Sequence, residues 1–186
     1  MLKNTIEYKR FVWEFENCIE KNRNIVFVCI GTVSVIGDSF GPVVGTVLKK
    51  RLNKNNGIEV IGDIYNCITY DKIQNYMNQI NDKYSNSLII ILDSALSNEF
   101  NIGKIFIQNR GLKYAESLKK KNSVIGNISI KAVVGENSYD RIKNFNNLRM
   151  VSYQRIHYVS NIVSNGIIEV MNKKVNNGKN IYKWNS

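Results

Sequence analysis

Residues 25–52 read IVFVCIGTVSVIGDSFGPVVGTVLKKRL, and this stretch decides the fold. Its first six residues, Ile25–Ile30, are apolar and mostly β-branched, which is typical of a strand buried on both faces of a sheet. A glycine-containing loop follows through Phe40. A helix is expected from Gly41 to about Asn53, because Pro42 suits a first helical turn and the trailing cations suit a helix C-terminus. The stretch therefore predicts a strand–loop–helix unit.

The same kind of unit recurs along the chain. Further helices are expected over residues 5–22, 71–84 and 148–175, and further strands over Ile58–Ile64, Leu88–Leu92, Lys104–Gln108 and Ile128–Val134, with a polar segment, 109–123, between the last two strands. Alternating strands and helices imply an α/β fold, a three-layer sandwich with a central, largely parallel twisted sheet flanked by helices.

Length and composition bound the class of protein. At 186 residues the chain is expected to form a single domain, with an N-terminal helix in 1–24, an α/β core in 25–175 and a tail in 176–186. No apolar run exceeds the six residues of Ile25–Ile30, against the roughly 20 that cross a bilayer, so no membrane partner is expected. The three cysteines form no CxxC pair, which favours a reduced, cytoplasmic protein.

The formal net charge is +11, which raises the question of a nucleic-acid partner. The chain also contains 28 Asn, 26 Ile and 19 Lys, residues with AT-rich codons, so codon bias explains much of the excess. Basic residues are scattered and do not alternate with aromatic residues along one stripe. Nucleic-acid binding is therefore not expected.

Two acids are expected at the carboxyl ends of the central strands, where ligands bind in open α/β sheets. Asp38 lies in the loop after the first strand, and Asp93 ends the strand 88–92. Two close carboxylates cannot both ionise freely, so the pair can hold a shared proton while one member activates water. A divalent metal held by both is the less favoured alternative, and no cofactor is expected. Gly37, Gly41 and Ser94 are the expected substrate-binding residues, since glycines allow a substrate backbone to approach closely.

Plainer roles stay open for the same residues. Asp38 could cap the helix that starts near Gly41, and Asp93 could bind loop amides. His157, the only histidine, is expected to be structural or at the surface, and Cys29 to be an inert buried thiol. Two more acids, Glu136 and Asp140, could join the site but are expected to be solvated charges at the start of a helix.

Several segments, taken in order, resemble the YyaC-type family of sporulation proteins: GTVSVIGDSFGPVVGTVLKKRL, ILDSAL, IGKIFIQNRGLK, VIGNISIKAVVG and NLRMVSYQRIHYVSNIVSNGI. The likeness extends from residue 25 to about 170. That family in turn resembles the spore germination protease and, more distantly, the hydrogenase maturation proteases.

The resemblance implies peptide-bond hydrolysis in a spore-forming bacterium, in the cytoplasm of the mother cell or forespore. Asp38 and Asp93 match the paired acids of the germination protease, and the implied substrates are small acid-soluble spore proteins. Val33 and Asn127 stand where family members usually carry acids, which would reduce the negative charge near the pair. The alternative is therefore a catalytically inactive scaffold or binding protein in sporulation.

Overall fold

A computed structural model describes residues 2–19, 24–52, 57–114 and 123–181. Seven strands and five helices follow in chain order: α1 Ile6–Cys18, β1 Ile25–Cys29, α2 Phe40–Arg51, β2 Ile58–Ile61, α3 Ile73–Lys83, β3 Leu88–Ser97, β4 Ile105–Gln108, β5 Leu112–Tyr114, β6 Ser123–Ile125, β7 Ile128–Glu136, α4 Arg141–Arg149 and α5 Tyr153–Ile181. Five of the strands form one sheet in the order β2-β1-β3-β7-β4, and β5 pairs with β6 in a separate antiparallel hairpin.

The sheet is parallel except at one edge. β1 pairs in parallel with β2 and β3, β3 pairs in parallel with β7, and β4 runs antiparallel to β7. All five residues of β1 are buried, as are the first five of β3. Both strands lie at the centre of the sheet, where helices cover both of its faces, and this is why they are continuously apolar.

Two cores lie on opposite faces of the sheet. Helices α1, α2 and α5 pack on one face, around side chains such as Phe15, Phe27 and Phe40. Helix α3 and the β5–β6 hairpin cover the other face, around Ile73 and Met77. The predicted α/β architecture of three layers with a largely parallel central sheet is therefore confirmed.

Three predicted boundaries are wrong. β3 continues past Asp93 to Ser97, because β7 runs beside it as far as Glu136. The helix predicted over 148–175 starts later, at Tyr153 of α5, and Met150–Ser152 separate it from α4, to which residues 148–149 belong. The polar segment 109–123 holds β5 and the first residue of β6.

Smaller differences concern the ends of elements. β2 stops at Ile61 because Gly62, with φ +90°, turns the chain. α1 ends at Cys18, short of the predicted end at residue 22, and residues 20–23 lie outside the described ranges. α5 reaches Ile181, beyond the predicted end at 175, and the remaining residues of the predicted tail, 182–186, also lie outside them. In the part of the chain that the structure describes, no helix is long and apolar enough to cross a membrane.

Candidate active site

The loop after β1 folds back on itself and fixes Asp38. Gly31 has φ +135°, and a Cβ there would lie 2.0 Å from the Asp38 carbonyl oxygen, so this position requires glycine. The backbone N–H of Thr32 donates to the carbonyl oxygen and to the carboxylate Oδ2 of Asp38, each at 3.1 Å. A short 3-10 helix, Ile36–Asp38, then leads into α2. The fold of this loop, rather than a neighbouring helix, holds the carboxylate.

Asp38 also contacts the central strand. The Ser94 hydroxyl of β3 donates to Asp38 Oδ1 at 3.3 Å. Burial raises the pKa of Asp38 above its ordinary value, and the hydrogen bonds from Ser94 and Thr32 act against that rise. The N-cap residue of α2 is Ser39, so capping of that helix does not account for Asp38.

Asp93 lies in the middle of β3 and is only partly exposed. Burial raises its pKa to about 7, and the nearby charge of Asp38 contributes to the rise. Lys131 and the Ser94 backbone N–H act in the opposite direction. A carboxyl group in this range exchanges its proton near neutral pH, which an ordinary aspartate does not.

The two aspartates approach β3 from different sides. Neighbouring residues of a strand point to opposite faces, and Leu92 packs in the core beneath α2 and α5 whereas Ile91 packs in the core beneath α3. Ser94 therefore points to the α2 side, where it bonds Asp38, and Asp93 points to the α3 side. The pair is coupled through its charges, and each carboxyl group keeps its own set of partners.

Lys131 is a residue near Asp93 that was not predicted from the sequence. This residue of β7 is in register with Asp93, and its charge acts on the Asp93 carboxyl group. A signal was present, since Lys131 is the only charged residue between Ile128 and Gly135. It went unnoticed because the pairing of β3 with β7 cannot be read from one sequence.

The two predicted glycines pack within the chain. A Cβ at Gly37 would meet the Leu148 carbonyl oxygen at 2.6 Å, and a Cβ at Gly41 would meet the Ile30 carbonyl oxygen at 2.0 Å. Close packing against α4 and β1 therefore accounts for glycine at both positions. That Gly37, Gly41 or Ser94 contacts a substrate stays a prediction.

Asn127 lies away from the pair, contrary to expectation. Its side-chain Oδ1 accepts the Ile89 N–H at 2.8 Å, and its own N–H donates to the Ile89 carbonyl at 2.8 Å. Ile89 is four residues before Asp93, about 13 Å along the strand. The neutral side chain of Asn127 therefore leaves the charge at the pair unchanged. Val33 does lie in the Asp38 loop, and 49% of it is exposed.

The other candidates stay outside the pair. Asp140 accepts hydrogen bonds from the N–H groups of Ile142 and Lys143, and so caps α4. Glu136 and His157 are exposed, and the side chain of Asn161 contacts the histidine ring. Burial raises the pKa of Cys29 to about 12, which leaves the thiol inert near neutral pH.

A metal does not fit the donors that the structure describes. Across residues 2–19, 24–52, 57–114 and 123–181, no three His, Cys, Asp or Glu side chains converge. Asp38 already accepts two hydrogen bonds, and Asp93 has Lys131 as its neighbour in register. No step of the chemistry below is therefore assigned to a metal.

Comparison with known proteins gives a family, a relative and a similar solved structure. Residues 2–166 match the model of a family described as "Protein of unknown function (DUF1256)". The uncharacterized protein YyaC of Bacillus subtilis (strain 168) is 25% identical over 143 residues, which cover 77% of this chain and 67% of the relative. The [NiFe] hydrogenase maturation protease HycI of Thermococcus kodakarensis KOD1 superposes with a TM-score of 0.59 at 16% identity, covering 86% of this chain and 99% of that one. At this identity the structural likeness concerns the fold.

Proposed function

The chain belongs to the DUF1256 family, and from that premise we propose that it is a peptidase that uses Asp38 and Asp93 to hydrolyse peptide bonds in spore proteins. One observation carries the proposal. Two partly buried aspartates lie near each other, Asp38 in the loop after β1 and Asp93 within β3, and burial together with the charge of Asp38 raises the pKa of Asp93 to about 7. Strongly shifted acids of this kind concentrate at catalytic sites. The protease-like fold supports the same reaction class by analogy.

The different surroundings of the two acids assign their roles. Asp38 accepts hydrogen bonds from Thr32 and Ser94, which favour its ionised form, so it acts as the base. Asp93 holds its proton to about pH 7 and acts as the acid. Asp38 takes a proton from water as the water oxygen bonds to the substrate carbonyl carbon. Asp93 gives its proton to the amide nitrogen as the C–N bond breaks, and exchange with solvent, in which Asp38 loses a proton and Asp93 gains one, restores the starting state.

The substrate class rests on the resemblance to the germination protease. Small acid-soluble spore proteins are the expected substrates, and the mother cell or forespore is the expected compartment. No cofactor is needed for the proton transfers described above.

Peptide termini give the direct test. Purified protein and the variants Asp38→Asn, Asp93→Asn and the double variant are incubated with a sporulating-cell lysate and with a purified small acid-soluble spore protein, and new termini are read by mass spectrometry. Asp82→Asn is the matched control, because Asp82 is an exposed aspartate of α3. We expect cuts from the wild type and Asp82→Asn, and a loss of at least about 100-fold in each site variant. Identical termini with protein and with buffer, from pH 5 to pH 8, would overturn the proposal.

A scaffold without catalysis is the second candidate, and one observation favours it. The hydrogen bonds of Asp38 to Thr32 and Ser94 close the loop after β1 and join it to β3, which is a structural task in itself. A scaffold predicts that the double variant supports sporulation as well as the wild type does, provided that it folds. A peptidase predicts a sporulation or germination defect with the double variant and none with Asp82→Asn.

A further inference from the structure

Lys131 is placed beside Asp93 by the register of the sheet. The Cα atoms of the two residues are partners in the parallel ladder between β3 and β7, so their side chains leave the same face of neighbouring strands about 4.8 Å apart. On the other side of Lys131, the antiparallel strand β4 offers Phe106 as the partner. The lysine is thus flanked by one carboxyl group and one aromatic ring.

This is an unusual position for a lysine. Its neighbours along β7, Ile130 and Ala132, are fully buried in the core beneath α5, and Lys131 itself points to the opposite face and is partly buried. A partly desolvated ammonium is costly unless an anion compensates for it. Within the described ranges, no carboxylate forms an ion pair with it inside 4.0 Å, and Asp93 is the acid on which its charge acts.

We propose that Lys131 is a positioning residue of the site, whose ammonium, next to Asp93 in the ladder between β3 and β7, offsets the charge of Asp38 at the Asp93 carboxyl group. The role in catalysis rests on the proposed peptidase function. The charged side chains that act on Asp93 are Asp38, from the loop after β1, and Lys131, from β7. β4 adds only Lys104 at its start, whose ammonium bonds Asn101 at 3.2 Å.

The opposing charges explain why both neighbours are needed. With Asp38 alone, burial and like charge would keep Asp93 protonated well above neutral pH, and the acid would be too weak to protonate a leaving amine efficiently. With Lys131 alone, Asp93 would ionise at lower pH and lose the proton that it must donate. Together, Asp38 and Lys131 keep the pKa of Asp93 close to neutral pH, where it can act as an acid.

Direct titration of Asp93 tests the inference. The protein has six aspartates, so selective 13C labelling of aspartate carboxyl groups gives six signals, and Asp93→Asn assigns the signal of interest. Lys131→Met is expected to raise the pKa of Asp93 by about one unit, whereas Lys131→Arg keeps the charge and should shift it by less than half as much. Lys104→Met is the matched control, since it removes an exposed lysine one strand away and should leave the Asp93 signal unchanged.

Activity supplies the second readout. Because the acid must be protonated, the rate of peptide cleavage falls above the pKa of Asp93, and this alkaline limb should move up by the same one unit in Lys131→Met. A lysine that only packs would change the rate or the stability without moving the limb. Lys131→Gln repeats the test if the methionine variant does not fold, as judged by circular dichroism.

The outcomes separate the inference from the proposed function. Equal titration midpoints for Asp93 in the wild type, Lys131→Met and Lys131→Gln overturn the role of Lys131, whatever the activity. A shifted midpoint in a protein that cleaves nothing would overturn the peptidase and leave the effect of Lys131 on Asp93 standing. Matching shifts in the titration and in the pH–rate profile support both.

Discussion

Asp93 stands in a strand whose preceding residues are entirely apolar, and the fold holds its carboxyl group in an environment that disfavours the charge. An unfolded chain ionises an aspartate near pH 4, whereas the folded protein keeps the Asp93 proton to about pH 7. Between these values the folded state binds more protons than the unfolded state. The free energy of unfolding therefore falls as the pH rises through this window, which is the opposite of the behaviour of a salt-bridged aspartate.

The variant Asp93→Asn should remove this penalty. At pH 8 we expect it to unfold with a free energy higher than that of the wild type by as much as about 4 kcal/mol, at roughly 1.4 kcal/mol for each unit of pKa shift. At pH 5 the difference should shrink to about a third, because the wild-type carboxyl group is then largely protonated. Urea denaturation at the two pH values measures both differences.

The exposed Asp82→Asn variant of α3 serves as the control and should follow the wild type at both pH values. An Asp93→Asn protein that is less stable than the wild type at pH 8 would show that Asp93 is charged and well compensated in the folded state. That result would remove the acid from the proposed mechanism.

At the scale of one element, helix α5 carries two polar side chains on its buried face. Ser160 and Ser164, one turn apart, are 3% and 1% exposed, and neither hydroxyl oxygen has a hydrogen-bond partner among the described residues. A buried hydroxyl without a partner destabilises by about 1–3 kcal/mol, and alanine is also the better helix former. The single variants Ser160→Ala and Ser164→Ala should each raise the free energy of unfolding by about 1–3 kcal/mol, as thermal or urea denaturation can measure.

The same substitution at the start of the same helix should act in the opposite direction. The Ser152 hydroxyl accepts the Arg155 N–H at 3.3 Å, just before the first turn of α5. Ser152→Ala should therefore lower the free energy of unfolding by about 1 kcal/mol. If Ser160→Ala and Ser164→Ala lower the free energy of unfolding as Ser152→Ala does, the buried hydroxyls of Ser160 and Ser164 have partners, such as bound water.

The elements also show which structural features the sequence could predict. β1 and the first half of β3 could be predicted from continuous apolar runs, because a strand that is buried on both faces is apolar at every position. The second half of β3 escaped prediction, since Asp93, Ser94 and Ser97 are polar and extend the strand only because β7 pairs with them. The start of α5 was predicted too early for a similar reason: apolar periodicity continues across Met150–Ser152 although the helical backbone does not.

The candidate site divides in the same way. That Asp38 and Asp93 lie near each other could be predicted, because acids that follow buried apolar runs meet toward one end of a parallel sheet; their role as a site stays a prediction. Lys131 could not be predicted, because its nearness to Asp93 depends on the pairing of two strands at positions 38 residues apart in the sequence (131 − 93), with a hairpin inserted between them. Asn127 was predicted to lie near the pair because the pairing of β3 with β7 was not known. Its hydrogen bonds to Ile89 place it near the amino end of β3.

At the scale of the whole molecule, the basic residues that give the excess positive charge are scattered along the sequence. Several described basic groups already face acids, with Lys49 paired to Asp63, Lys173 to Glu169 and Arg10 to Glu7. The cations that end α2 compensate for the negative end of that helix. We expect a charge of +11 that is scattered along the sequence and partly paired to attract polyanions without forming a phosphate-binding track.

Binding of duplex DNA should therefore be weak and shallow in its salt dependence. Each phosphate contacted adds about −0.9 to the slope of the logarithm of the binding constant against the logarithm of salt concentration. We expect a slope no steeper than about −3, no binding at micromolar protein in 0.15 M salt, and equal binding of polyglutamate at the same charge concentration. Fluorescence anisotropy with a labelled duplex, at salt concentrations from about 0.02 to 0.2 M, measures this slope. A slope steeper than about −5, with a preference for DNA over polyglutamate, would show that folding gathers the scattered cations on one surface and would make nucleic acid a partner to be explained.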